Sequence, residues 1–176
     1  LFSGRLRDGA LEPLPFSLRL QGSPLAGTLA LDARGAAPTA SLSLEGDDFD
    51  AGAVLRQLRL AQDIDARIGK LRLQAAVRGS RLGEVFERSS FLASVEAGTL
   101  AYRDPGTQAV LTLALTGGEL RAEAGGPVTG SISGTAGEVP VRLDLQGGPL
   151  GGLLAPSGRW PFALTATLPE AQWVAS

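Results

Sequence analysis

This chain of 176 residues lacks several of the residue types that carry chemistry. It has no cysteine, which excludes disulfides, thiolate nucleophiles and cysteine-ligated metals. It has no histidine, which removes the commonest general base and the commonest transition-metal ligand. Serines such as Ser90 and Ser131 therefore have no imidazole to activate them. These absences predict a protein that is not an enzyme.

Concentrated charge is also missing. The 16 basic and 18 acidic residues are spread evenly, which excludes the basic face that nucleic-acid binding requires. One acidic cluster contains Asp47, Asp48 and Asp50, but it lacks the ligand spacing of a calcium loop. Helix capping by Asp47 or Asp48 explains it instead. We expect no metal, no cofactor and no nucleic-acid partner.

Long apolar runs are absent as well. No stretch approaches the roughly 18 apolar residues of a membrane span, and no charged-then-apolar leader opens the chain. The first residue is Leu1 rather than methionine. We expect residues 1–176 to form a single domain cut from a longer precursor, with any anchor or targeting element outside it.

What the chain does contain is apolar–polar alternation with a period of two, typical of strands with one apolar face. The segment PFSLRLQG places Phe16, Leu18 and Leu20 on one side. Similar segments recur about ten times, separated by turn signals such as RDGA, RDPGTQ and TGGE. Such short links predict an antiparallel meander. The alternation changes phase at Gly69–Lys70, which predicts a bulge there.

Three segments break the alternation and predict short helices. The first, DDFDAGAVLRQLRL, has apolar residues at helical spacing. The second, SRLGEVFERS, follows a Ser80 cap, and the third, GPLGGLLAP, ends at Pro156. The apolar positions of the three segments are Phe49, Ala53, Val54, Leu58, Leu82, Val85, Phe86, Leu150, Leu153 and Leu154. The predicted fold class is mainly β, with two or three short helices.

Two phrases in the chain are nearly the same. LRLQGSPLAG begins at Leu18 and LDLQGGPLGG begins at Leu143, with seven of ten positions identical. Gly46, Gly79 and Gly147 each have an apolar residue three places on, at intervals near one and two periods of about 34 residues. This spacing suggests a repeated unit in which a strand ends at glycine and a turn returns over the sheet.

The predicted apolar face is larger than the predicted helices can cover. Ten strands give a face of order 1000 Å², whereas each short helix covers roughly 120 Å². The sheet then either folds over itself into a closed sandwich or stays open as a curved, groove-like sheet with an apolar trough. Aromatic residues make up only 5% of the chain, which favours the open alternative, because a closed core usually carries more aromatic volume.

The open alternative predicts a set of lining residues that share the apolar face. They are Phe16, Leu18, Leu20, Leu29, Leu31, Leu42, Leu44, Leu71, Leu73, Leu111, Leu113, Leu143 and Leu145.

The order of motifs along the chain resembles the C-terminal repeat region of AsmA-family proteins. RLRDGALEPLPFSLRLQGSPLAG resembles the DG turn and following strand pair of that family, and GDDFDAGAVLRQL resembles a helix that follows. The pair Trp160–Pro161 resembles a Trp-Pro element of its later repeats. The segment 117–137 departs from the pattern because it is richer in glycine.

This resemblance implies a periplasmic segment of an inner-membrane-anchored protein of Gram-negative bacteria. It implies a lipid-binding or lipid-transfer module in outer-membrane assembly and phospholipid transport, and it favours the open groove. The implied partner is a phospholipid or another acyl-chain lipid, with envelope proteins as further partners. The alternative function is a closed β-sandwich that acts as a structural or protein-interaction scaffold in the envelope.

Overall fold

The structure is a computed structural model that describes residues 6–57, 61–79, 88–153, 160–169 and 171–175. These residues form eleven strands and two short helices. The strands are β1 (Leu6–Arg7), β2 (Ala10–Leu20), β3 (Ser23–Asp32), β4 (Thr39–Asp50), β5 (Ile64–Arg78), β6 (Ser89–Arg103), β7 (Val110–Ala122), β8 (Pro127–Ala136), β9 (Val139–Pro149), β10 (Phe162–Leu168) and β11 (Ala171–Ala175), and the helices are α1 (Ala51–Gln57) and α2 (Leu150–Leu153).

All strands belong to one sheet in which each pairs antiparallel with the next along the chain. The sheet runs from β1 at one edge to β11 at the other and is open. The predicted fold class is therefore confirmed: mainly β, one open antiparallel sheet and short helices. The closed sandwich is not formed, because the sheet does not close on itself.

The strand count differs in detail from the sequence prediction. TGGE is not a turn, because Gly117 and Gly118 lie within β7 and pair with Glu96 and Val95 of β6. Two predicted strands are thus one long strand, while β1 and β11 were not predicted. The glycine pair reads as a turn from sequence alone, but strands on both sides fix its backbone in the ladder.

The junction between β4 and α1 also differs. Strand β4 continues through Phe49 to Asp50, and the helix begins only at Ala51. Asp50, rather than Asp47 or Asp48, caps the helix, since its Oδ1 accepts a hydrogen bond of 2.8 Å from the Ala53 amide. The remaining predicted helix positions, Leu58, Leu154, Pro156 and the helix behind Ser80 with Leu82, Val85 and Phe86, lie outside the described residues.

The phase change at Gly69–Lys70 is present, but in another form than a single bulge. The register of β5 with β4 and β6 is the same on both sides of Gly69. By that register Gly69 lies opposite Asp48 and Ala97, which have positive φ angles of 51° and 58°. Strands β4, β5 and β6 thus each carry one residue out of alternation at the same level, so the pairing between them keeps its register. On the next strand the residue at this level is Thr116, and there the register between β7 and β8 shifts.

The core of the sheet is thin. Its buried cluster contains Leu25, Phe49, Ile68, Leu113 and Leu115, against which α1 packs Ala51 and Val54. No large side chain among the described residues is completely sealed from solvent. The chain exposes 11762 Å², whereas a compact folded chain of 18.1 kDa exposes about 8,100 Å². Among the described residues, the only elements outside the sheet are the short helices α1 and α2, so within this part of the chain much of the sheet surface has no covering layer.

The two similar phrases fold differently. In the first, Gln21 and Gly22 have φ angles of 50° and 85° and form the tight turn between β2 and β3. In the second, Gly147 lies within β9, which leads into α2. Gly46, the first proposed repeat position, likewise lies inside β4, whereas Gly79 directly follows the end of β5. The proposed strand-end unit is therefore wrong for Gly46 and Gly147.

Candidate functional site

A continuous row of apolar residues crosses the sheet at right angles to the strands. Each residue pairs with its neighbour on the next strand, so all of them face the same side. From β2 to β10 the row consists of Phe16, Gly27, Leu44, Leu73, Ala93, Leu120, Gly130, Leu145 and Leu164. We call it the Leu73 row. Eight strand spacings make it about 38 Å long.

A second row lies beside it, two residues along each strand. It consists of Leu18, Leu25, Gly46, Leu71, Val95, Gly118, Ile132, Leu143 and Ala166, and we call it the Leu71 row. No residue of either row carries a polar side chain. Together, the two rows form the lining.

Glycines within the rows let neighbouring side chains lie flat on the sheet. A Cβ atom at Gly46 would collide with Leu25 Cδ2, and one at Gly130 would lie 2.6 Å from Leu120 Cδ1. A Cβ at Gly27 would lie 2.7 Å from Leu44 Cδ2. The leucines therefore cover the glycine backbone. The result is a smooth apolar surface rather than a series of separate pits.

The structure brings most of the predicted lining residues onto this surface. Phe16, Leu44, Leu73 and Leu145 belong to the Leu73 row, and Leu18, Leu71 and Leu143 belong to the Leu71 row. Leu29 and Leu42 pair with each other two residues along their strands from the Leu73 row, on the side away from the Leu71 row. Leu31 pairs with Ala40 two residues further along. Leu20 packs against the buried cluster from the end of β2. Leu18 is 38% exposed and Leu31 41% exposed, and the others named here are half-buried.

Two predicted lining residues lie elsewhere. Leu113 is only 5% exposed and belongs to the buried cluster, so it is core rather than open lining. Leu111 is 62% exposed and pairs with Tyr102 at the end of β7, so it lies at the rim. Both precede Thr116 in the chain, and the phase change there separates their end of β7 from the rows.

Sequence reasoning omitted several members of the rows. Val95, Leu120 and Ile132 lie between predicted members on neighbouring strands, and all three are half-buried. The alternation that identified Leu73 and Leu143 also runs through these three positions, so the signal was present.

The opposite face of the sheet is polar, and its charges pair with one another. Arg72 Nη1 donates a hydrogen bond of 2.6 Å to Glu96 Oε1, and its Nε lies 3.8 Å from Glu45 Oε1. Arg142 makes a similar pair with Asp144 on β9, which raises the pKa of the arginine. These exposed pairs contribute little stability. They do make this face of the sheet polar and hydrated, whereas the opposite face is apolar.

A shallow depression of about 480 Å³ lies on this polar face, not on the lining face. It is lined mainly by small or hydroxyl-bearing residues such as Thr28, Ser41 and Ser90. Thr28 Oγ1 lies 2.6 Å from Ser43 Oγ, so these two hydroxyls satisfy each other. The depression carries no charged side chain, and nothing in its chemistry selects a ligand.

The two carboxyl groups with lowered pKa values lie at the end of β3 and in the turn after β6, away from the rows. Hydrogen bonds from Arg34 lower the pKa of Asp32 to about 2. The Thr107 amide and hydroxyl lower the pKa of Asp104 in the turn after β6. Among the described residues, no cluster of acidic side chains could hold a metal ion. The two rows of the lining therefore present an apolar surface without a titratable side chain.

Where the lining crosses β9, the Trp160 ring covers bare backbone. A Cβ atom at Gly147 would collide with Cη2 and Cζ2 of the indole, so only glycine fits beneath it. The indole Nε1 donates a hydrogen bond of 3.0 Å to the Pro149 carbonyl.

Comparison with protein families, curated proteins and solved structures finds no match to this chain. None of the helices in the described parts of the chain has the length and apolarity needed to cross a bilayer.

Proposed function

We propose that this chain is a lipid-binding module that holds acyl chains on its lining and lets them move along it. The observation that carries the proposal is the apolar face, where two uninterrupted rows cross nine strands and every member except the buried Leu25 is at least partly exposed among the described residues. An apolar surface of this extent marks an interaction site in a soluble domain. The resemblance to the AsmA family adds the setting: a periplasmic segment of an inner-membrane-anchored protein that serves outer-membrane assembly and phospholipid transport.

The energetics fit a reversible carrier. Burial is worth roughly 0.8 kcal/mol per methylene, so sheltering half of a common acyl chain of about 15 methylenes contributes roughly 6 kcal/mol. Because neighbouring leucine, valine and isoleucine side chains cover the glycines of both rows, no deep pocket among the described residues of the rows fixes one chain position. A bound chain can therefore shift along the rows without crossing a polar group.

Native mass spectrometry of the intact chain, after exposure to phosphatidylethanolamine–phosphatidylglycerol vesicles, tests the proposal. We expect phospholipid adducts on the folded wild-type chain. The Leu145→Asp variant places a charge in the Leu73 row and should lose most of these phospholipid adducts. Gln146→Asp is the matched control, because Gln146 is the next residue of β9 and faces the polar side.

Circular dichroism of both variants shows whether each retains its β-sheet. The proposal fails if the folded wild-type chain takes up no lipid, a result that favours the scaffold alternative. It also fails if Gln146→Asp reduces uptake as much as Leu145→Asp while both variants stay folded.

A further inference from the structure

Trp160 is one of only two tryptophans in the chain, and three glycines lie next to its ring. The indole lies against Gly147 and Gly148 of β9, and its Cδ1 is 3.4 Å from where a Cβ of Gly152 in α2 would be. The three glycines thus form a slot of indole width between β9 and α2. They are three of the four glycines of the phrase LDLQGGPLGG.

Strand β9 bends to make this slot. Its register with β8 shifts between the pairs Pro127–Pro149 and Thr129–Gln146, which leaves one extra residue on β9 at Gly147–Gly148. Gly147 lies two residues beyond Leu145, so it faces the same side of the sheet at a distance of about 7 Å. The indole therefore lies on the lining face, beside the Leu73 row where the row crosses β9.

The polar atom of the ring is already satisfied. Because Nε1 donates to the Pro149 carbonyl, the indole brings no unpaired donor to the apolar face. Trp160 is half-buried, so part of the residue still faces outward. Phe162, which pairs with Gly147, is 50% exposed beside it.

From this geometry we infer that Trp160 contacts the bound hydrocarbon and bounds its path where the Leu73 row crosses β9, on the flank that faces away from the Leu71 row. The inference rests on the proposed function and adds a ligand-contacting residue to it. An acyl chain on the Leu73 row meets the indole next to Leu145. The ring occupies the glycine slot that hydrocarbon would otherwise fill.

Fluorescence quenching by phospholipid with brominated acyl chains tests this contact, because bromine quenches tryptophan only at short range. The experiment uses the full chain with Trp173→Phe, so that Trp160 is the sole emitter. We expect loss of most of the Trp160 emission with brominated lipid and none with the unbrominated lipid. If Trp173→Phe fails to fold, the difference in quenching between wild type and Trp160→Phe gives the same information.

The matched control places a tryptophan on the polar face. Leu92 pairs with Gln74 and is 38% exposed there, so Leu92→Trp, combined with Trp160→Phe and Trp173→Phe, should keep its emission. Unquenched Trp160 in a chain that carries brominated lipid by native mass spectrometry overturns the inference and leaves lipid binding intact. Equal quenching at position 92 overturns it too. Absence of any bound lipid overturns the proposed function, and this inference with it.

Discussion

Gly52 of α1 lies directly against the backbone of β5, where a Cβ atom at position 52 would come within 2.7 Å of the Ala66 nitrogen. The same atom would lie 3.1 Å from the Asp65 Cα. Arg56, one turn further along the helix, pairs with the Asp65 carboxylate. A glycine contact and one ion pair thus hold α1 close to the sheet, where Val54 reaches the buried cluster.

Replacing Gly52 with alanine should push α1 away from β5. Because the added methyl meets backbone rather than a flexible side chain, we expect a loss of about 1–3 kcal/mol in the free energy of unfolding. Gly35→Ala is the control, since a Cβ there meets its nearest atom at an ordinary 3.8 Å. Urea unfolding of both variants measures the difference, and equal midpoints would contradict the close approach.

Replacing Ala97 with glycine should stabilise the protein. Ala97 has a φ of 58°, a left-handed conformation that costs an L-residue about 1–2 kcal/mol and costs glycine little. We expect a gain of roughly 0.5–1 kcal/mol after the entropic cost of glycine is included. The control is Ala101→Gly in the same strand, which should lose about 0.5–1 kcal/mol. Chemical denaturation would reveal the opposite signs, and two losses would argue against the left-handed backbone.

Alternation alone predicted the sheet because each strand needs one apolar face, and the short turns left only antiparallel pairing. It could not show that TGGE lies within a strand, since two glycines look like a turn until the pairing of Gly117 and Gly118 with β6 is known. The phase change was visible in the sequence only at Gly69. Its extension to Asp48 and Ala97 depends on which residues lie opposite Gly69. Cross-strand pairing cannot be inferred from the local sequence pattern.

The same alternation predicted which residues lie on the apolar face, but it did not predict how deeply each of them is buried. Leu111 and Leu113 have identical local patterns, and only the packed cluster around Leu115 and Ile68 separates a core leucine from a rim leucine. Likewise, no local signal indicated that Gly147 lies beneath Trp160, since that contact joins two segments across α2.

The difference between these two leucines should appear in stability. Leu113→Ala removes a buried side chain and leaves a cavity, so we expect a loss of about 2–5 kcal/mol. Leu111→Ala trims a side chain that is 62% exposed and should change stability by less than about 0.5 kcal/mol. Thermal or urea unfolding compares the variants, and similar losses at both positions would refute the placement of the rim.

The pair formed by Asp32 and Arg34 predicts a defined pH dependence. The pKa of Asp32 falls from 3.8 to about 2 in the folded chain, so folding favours its charged form. Its contribution is present above its unfolded pKa and is lost as the pH falls towards 2. The stability difference between wild type and Asp32→Asn should therefore be constant from about pH 5 to pH 8 and shrink below pH 4. Urea midpoints across this range measure it, and in an Arg34→Gln background most of the difference should disappear at every pH.

Gly22 and Gly147, which occupy the same position in the two similar phrases, should tolerate asparagine to different extents. Gly22 needs a left-handed backbone, which asparagine tolerates, and a Cβ there meets nothing within 4 Å. Gly22→Asn should therefore cost less than about 1 kcal/mol. Gly147 needs empty space instead, because the Trp160 indole occupies the place of its Cβ. Gly147→Asn should displace the ring, lower stability by about 1–3 kcal/mol and shift the tryptophan emission. Unchanged emission in Gly147→Asn, with Trp173 replaced by phenylalanine, would mean that the indole does not lie on Gly147.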